Sequence, residues 1–461
     1  MSELCFRSAV ELRQMIQSGE LGVSELLEAF ISQIEKVNPI YNGLVTLNFE
    51  EARHKAKQLD NQSDKSGLLF GLPLAVKDVF ETKGLRSTKG SPFFKDYIPS
   101  KDDLLVRRER EAGALIVGKS NTPDCASGGI TINEIFGLSK NPWNIDKTCS
   151  GSGGGGVVAL ASGCVALADG SDIGGSVRSP ASWTNLVGFR PSSGWIPGPV
   201  GSLADGDTST AGIFARTVQD AALFMQAVAG PDVNSAISYP NGEFFDHQNL
   251  ANLPKGLTIS WMTDFAGWDL NPEMANLFED HAKVFEEAGL LVSRDTMSLG
   301  VVYRKLYKDF NAYGYVKGLP SLVLDAALKD RSVKPSIQAN VDAYMLMSAK
   351  EIYEMFNARD HLRVQIQNFM QKHDVIISPV HNCLAYGALD YEGEGQCDWS
   401  ALYLAPLLGL PSIVLPCGFT SDGMPHGIMI TGRKGEDQLV MKIAYAFEKA
   451  TGYGKRLPKL G

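Results

Sequence analysis

Gly151-Ser152-Gly153-Gly154-Gly155-Gly156-Val157-Val158-Ala159-Leu160-Ala161 opens a region, through Gly212, in which 15 of 62 residues are glycine. At average usage about 4 would be expected. The run literally satisfies G-x-G-x-x-G, but a dinucleotide loop needs an apolar strand directly upstream, and Asn144-Ile145-Asp146-Lys147-Thr148-Cys149-Ser150 forms none. No Gly-Lys-Ser/Thr follows, so a P-loop is also excluded. The apolar residues after the glycines instead predict a buried helix, opened by a backbone that can approach its neighbours closely. A second cluster lies downstream, Asp169-Gly170-Ser171-Asp172-Ile173-Gly174-Gly175-Ser176-Val177-Arg178-Ser179-Pro180. Paired glycines before a serine let the chain turn tightly and present N–H groups beside a hydroxyl, which is what an oxyanion site requires.

Outward from these loops, short apolar runs alternate with helical patterns. Leu72–Val76, Leu115–Gly118, Leu257–Trp261, Val375–Ile377, Ile413–Leu415 and Ile428–Ile430 read as buried strands, and the helices between them predict an α/β sheet. Ser8-Ala9-Val10-Glu11 has capping-box form with Gly19 past the helix it starts, and a second helix from about Ser24 is predicted to end near Pro39. Asn234–Lys255 reads as a polar surface loop. The pattern from about Asp264 to Asp374 is mostly helical, and its aromatics Phe310, Tyr313 and Tyr315 read as helix packing on the sheet. With no internal repeat and no long linker, one domain over residues 1–461 is expected: N-terminal helices (1–65), a core (66–225), a variable helical region (260–375) and C-terminal strands with a helix (376–461).

At 461 residues with 44% apolar and 21% charged composition, the chain is long enough for a full core. A net charge of −9 argues against a general nucleic-acid binder. The start of the chain shows no signal-peptide pattern, and the longest apolar run, Val157–Ala168, is shorter than the roughly 20 residues of a membrane span. Seven cysteines, an odd number with no C-x-x-C pair, predict reduced thiols in a soluble cytoplasmic protein.

A serine nucleophile needs a base, usually histidine. The seven histidines are scattered, with no H-E-x-x-H and no G-x-S-x-G elbow. Lysine is the other base, and Leu72-Pro73-Leu74-Ala75-Val76-Lys77-Asp78 places one at the end of an apolar strand, where burial would favour its neutral form. Taken alone, a Lys-Asp after a strand reads as a solvated strand end.

Together these residues resemble the amidase signature family of serine hydrolases. The resemblance rests on Gly71-Leu72-Pro73 through Lys77-Asp78, on Gly151-Ser152-Gly153-Gly154-Gly155 and on Gly170 through Ala181, with Ser152 75 residues after Lys77 and Ser176 24 after Ser152. Lys119-Ser120-Asn121-Thr122-Pro123, Asn141-Pro142-Trp143-Asn144, Ala215-Arg216-Thr217-Val218-Gln219-Asp220, Gly409-Leu410-Pro411-Ser412-Ile413, Pro416-Cys417-Gly418-Phe419 and Asp422-Gly423-Met424-Pro425 are similar to further family segments. The resemblance implies one large domain with a mixed, many-stranded sheet surrounded by helices. It implies a nucleophile at Ser176, Ser152 after a cis peptide bond, Lys77 as base, and an oxyanion hole from the N–H groups of Ile173, Gly174, Gly175 and Ser176. Asp172 and Arg178 are expected to support the loop, and Ser127, Gly128, Gly129 and Ile130 to contact substrate, as are the Asp205-Gly206-Asp207 turn and the region of Tyr313. Cys125 reads as a buried structural thiol. Neither metal nor cofactor is expected; the partner is a small-molecule amide, with a homodimer as an assembly the reading allows.

One departure stands out: Gly153 occupies the place of the family's second serine and Ser150 the place of a glycine. The implied activity is hydrolysis of a carboxylic amide through an acyl-enzyme. The alternatives are a glutaminase subunit of a tRNA-dependent amidotransferase, a carbamate, ester or urea hydrolase on the same fold, or a non-catalytic relic. Trp195-Ile196-Pro197-Gly198-Pro199-Val200 does not resemble the corresponding stretch of the amidotransferase branch.

Overall fold

The computed structural model describes residues 3–198, 208–235, 237–239, 245–264, 267, 269–294, 297 and 299–461. The strands are β1 (Leu44–Leu47), β2 (Pro73–Lys77), β3 (Leu115–Ser120), β4 (Ile132–Asn133), β5 (Gly137–Leu138), β6 (Leu167–Asp172), β7 (Val187–Arg190), β8 (Thr210–Ala215), β9 (Thr258–Trp261), β10 (Leu291–Ser293), β11 (Val375–Pro379), β12 (Ser412–Phe419) and β13 (Pro425–Gly432). Eleven of them form one sheet in the order β1-β3-β2-β6-β8-β7-β12-β13-β11-β9-β10, and β4 and β5 make a separate small hairpin. The sheet is mixed: β2 runs parallel to β3 and β6, and β9 parallel to β10 and β11, whereas β12 is antiparallel to both β7 and β13. A single α/β domain with a large mixed sheet flanked by helices is therefore observed, and every strand predicted from an apolar run is present.

The N-terminal helices follow from their sequence. Ser8 Oγ accepts from Glu11 N and Glu11 Oε2 from Ser8 N, closing the capping box on Ala9–Ser18, and Gly19 ends the helix at φ +78°. The second helix, Val23–Tyr41, buries Leu26, Phe30 and Ile34 but does not stop at Pro39. Pro39 sits in its last turn, and the helix ends two residues later, where Asn42 takes a left-handed conformation and donates to Asn38 O.

Two expectations are corrected. The cysteines are not all reduced, because Cys383 and Cys397 form a disulfide across 14 residues; the other five are free. The spacing gave no sign of it because the two meet only after the loop between β11 and the helix Ser400–Leu408 folds back on itself. The Asp264–Asp374 region is helical as expected, but its helices do not only pack on the sheet: Val316, Val323, Ala327, Ile337 and Val341 form a small core of their own. Phe310 is buried in the main core, Tyr313 packs against Phe356 and Tyr344, and Tyr315 Oη donates to Cys125 O at 3.1 Å. The polar segment 234–255 holds no helix or strand among its described residues. Among the described residues no helix is long and apolar enough to cross a membrane.

Candidate active site

The end of β2 lies at the centre of the first half of the sheet, between β3 and β6. Lys77 and Asp78 are not a solvated strand end; both are fully buried. Lys77 Nζ stands 2.7 Å from Ser152 Oγ and donates to Ser171 Oγ at 2.9 Å, while Lys77 N donates to Asp169 Oδ1. Burial pushes the Lys77 ammonium down to about 7, against the pull of Asp169 and Asp172. A lysine held there loses its proton near neutrality, keeps an N–H for Ser171 and has a lone pair for the Ser152 hydroxyl.

Ser152 is brought to Lys77 by the glycine loop. The Gly151–Ser152 peptide is cis, and Gly154–Ala161 then forms the wholly buried helix expected from the sequence. Its glycines are required by space: a Cβ on Gly155 would collide with the backbone N and O of Asn121. A Cβ on Gly153 would lie 2.6 Å from Phe214 Cζ and 2.6 Å from Ser176 O. Phe214 thus fills the place a second serine hydroxyl would need. Ser150 explains the other half of that departure, since its φ of +64° is one glycine adopts without strain. Its hydroxyl is paired with Ser179 Oγ at 2.6 Å, and Ser179 Oγ in turn with His381 Nε2 at 2.7 Å.

Ser176 follows β6 on the second glycine loop, half-buried, and Gly153 N donates to its carbonyl at 3.1 Å, so the two serine loops lie side by side. Among the described residues Ser176 Oγ has no hydrogen-bond partner, and the contact to Ser152 Oγ that a serine–serine relay uses is not formed in this conformation. The loop is shaped by Asp172. Its carboxylate accepts from Gly175 N at 3.0 Å, Val177 N at 3.1 Å, and Arg178 Nε and Nη2 at 3.0 and 2.9 Å, with Arg190 Nη1 3.6 Å away. Burial alone would raise this carboxyl, but Arg178 and Arg190 hold it far below the usual carboxylate range. The Gly175 N–H is thereby occupied; those of Ile173, Gly174 and Ser176 have no acceptor among the described residues.

The Ser127–Ile130 segment borders the Ser152 loop, with Gly128 O against Gly151. It is held by residues the sequence did not single out: Lys334 Nζ donates to Ser127 O at 2.6 Å, Ser336 Oγ pairs with Ser127 Oγ at 2.8 Å, and Gly129 N donates to Glu394 Oε1 at 2.6 Å. Ile130 is buried with Trp183, Tyr386 and Met424. Tyr307, also missed, stacks on Tyr403 at 3.5 Å between centroids and reaches over the second loop, its Oη 3.4 Å from Ile173 O. Cys125 is only partly buried, yet burial still pushes its thiol up to about 12. Asp205-Gly206-Asp207 lies outside the described residues.

The family model described as Amidase matches residues 25–441. The chain belongs to the amidase family. Among curated proteins it is similar to a glutamyl-tRNA(Gln) amidotransferase subunit of Geobacillus sp. (strain WCH70), 32% identical over 98% of each chain. It is also similar to an acylamidase of Rhodococcus erythropolis, 29% identical over 98% of this chain and 97% of that protein. A solved bacterial aryl acylamidase of the amidase signature family superposes with a TM-score of 0.88 at 27% identity, covering 98% of each chain. Family, fold and neighbours together support an amide hydrolase, with the amidotransferase-subunit alternative represented among the relatives of this amidase.

Proposed function

We propose that this amidase cleaves a small carboxylic amide through Ser176, with Ser152 and Lys77 moving the proton. The observation that carries the reading is the buried Lys77 Nζ at 2.7 Å from Ser152 Oγ. Ser176 Oγ adds to the amide carbonyl carbon as its proton passes to Ser152 and that of Ser152 to neutral Lys77. The carbonyl electron pair moves onto oxygen, where the N–H groups of Ile173, Gly174 and Ser176 receive it; such donors contribute about 3–4 kcal/mol each. Gly175 and Arg178 keep the loop in shape through Asp172. Collapse breaks the C–N bond, the proton returns through Ser152 to the leaving nitrogen, and water then cleaves the Ser176 ester by the same relay.

Ser127–Ile130, set against the Ser152 loop, is the segment we assign to substrate contact. A cytoplasmic location suits the five unpaired cysteines. Recovery of the protein in the cytoplasmic fraction of gently lysed cells would support it, and recovery outside that fraction would overturn it.

Release of amine from acyl and aryl amides, abolished in Ser176→Ala while the variant still folds, tests the assignment; full turnover by that variant would sink it. A second reading, a glutaminase subunit working with partner chains, is favoured by the 32% identity to an amidotransferase subunit over 98% of the chain. It predicts glutamine hydrolysis that rises sharply when partner subunits co-purify, and it suits a hetero-complex better than a homodimer.

A further inference from the structure

Behind Lys77 lie two carboxyl groups that the relay does not use. Glu109, on the helix Leu104–Glu111, and Asp169, in the middle of β6, are both fully buried. Asp169 Oδ1 accepts from Lys77 N, while Asp169 Oδ2 and both Glu109 oxygens receive no donor from any described residue. The two carboxyl groups lie within hydrogen-bonding reach of each other. A pair of carboxylates facing each other in a dry interior would leave these oxygens unpaired and the charges unscreened; one proton between them satisfies both groups.

The charged surroundings point the same way. Lys119 is acted on by the charges of Asp78 first, then Asp169 and Glu109, with Lys89 opposing, but gives its hydrogen bonds to Phe80 O and Thr82 Oγ1. Arg110 acts on Glu109 from the same helix and pairs with Glu51 and Asp102. Of the two anions that act on Lys77, Asp172 is already matched by Arg178 and Arg190, which leaves Asp169.

We propose that Glu109 keeps one proton and donates it to Asp169, and that this carboxyl pair, carrying a single negative charge against the end of β2, sets the pH at which Lys77 gives up its own proton. Burial raises both carboxyls, Glu109 further because the Asp169 charge adds to it. The pair acts through Lys77, so the inference rests on Lys77 being the base.

The test is the pH profile of kcat/KM with an amide substrate, for wild type, Glu109→Gln and Asp169→Asn, alongside infrared spectra of the same proteins. Glutamine copies the shape and the donor of a protonated Glu109, so the acid limb of Glu109→Gln is expected at the wild-type pH. Asp169→Asn removes the charge nearest Lys77 and is expected to move that limb down by about one pH unit. A protonated-carboxyl stretching band is expected in the wild-type minus Glu109→Gln difference spectrum at neutral pH. A downward shift in Glu109→Gln equal to that in Asp169→Asn would show that Glu109 is ionised and would overturn the proposal, as would the absence of the band from that difference spectrum. The infrared arm needs no activity and does not depend on Asp169→Asn folding. Failure of the base assignment is read separately, as amide turnover surviving in Lys77→Met.

Discussion

The strand-and-loop core from Pro73 to Arg190 and the helical cover from Gly300 to Met370 meet beside the second glycine loop and the Cys125–Ser127 segment, and they are built on opposite terms. Around the two serine loops of the core, the polar side chains that shape the site are buried or half-buried and paired: Asp172 to its loop and two arginines, Lys77 to two serines, Ser150 to Ser179. In the cover, polar groups are mostly exposed, as in Lys305–Asp309 or Arg331–Asp342, and only a few side chains reach inward, Tyr307 to the second loop and Lys334 to Ser127. A buried charge with a fixed partner leaves little room for change, whereas a solvated helix face tolerates much. Chemistry should therefore fail when the core is altered and be adjusted when the cover is.

The sharpest test of that contrast is Lys77→Met, expected to lower kcat by about 10²–10⁴-fold with the fold intact, because an apolar side chain fits a dry site. Wild-type kcat/KM should also fall about tenfold per pH unit below about 7, since protonated Lys77 cannot accept the Ser152 proton. A profile that stays flat well below that pH would remove Lys77 as base. Next in size is Asp172→Asn, which strands the Arg178 and Arg190 charges and should cost about 3–5 kcal/mol in urea unfolding. Gly175→Ala follows. Its φ of +109° and a new Cβ 2.6 Å from Leu402 Cδ1 should cost about 1–3 kcal/mol, read as a lower Tm together with reduced turnover. Smallest is Tyr307→Phe in the cover, which gives up one long hydrogen bond of about 1 kcal/mol and should change kcat/KM by less than about tenfold. Loss of all activity there would break the contrast, by making the cover part of the chemistry.

Legibility in the sequence followed the same divide. The apolar strands β2, β3, β9, β11, β12 and β13 were readable because burial on both faces leaves a continuous apolar run. β6 was not: Leu167-Ala168-Asp169-Gly170-Ser171-Asp172 is half polar, and at the centre of the sheet Asp169 Oδ1, Ser171 and Asp172 find partners in Lys77 and the second glycine loop. β8 gave no strand signal either, although it pairs with β6 along Ala168–Asp172. Lys77, Ser152 and Ser176 could be named from motif spacing, but that Lys77 is buried and paired could not be told from a solvated strand end. Tyr307, Lys334 and Glu394 carry no local signal; they matter only because helices distant in sequence set Tyr307 against the second glycine loop and Lys334 and Glu394 against the Ser127–Ile130 segment.

By itself the sequence determined an α/β domain, two glycine loops carrying serines, and a lysine at a strand end, because backbone conformation and burial periodicity are local properties that residue type reports. The tertiary structure decided which groups share a dielectric. It put Lys77 against Ser152 and Ser171, filled the space beside Gly153 with Phe214, joined Cys383 to Cys397, and set Glu109 against Asp169 behind the lysine. Those pairings join residues up to 94 positions apart, and the protonation of a buried group depends on such neighbours and not on its own place in the chain.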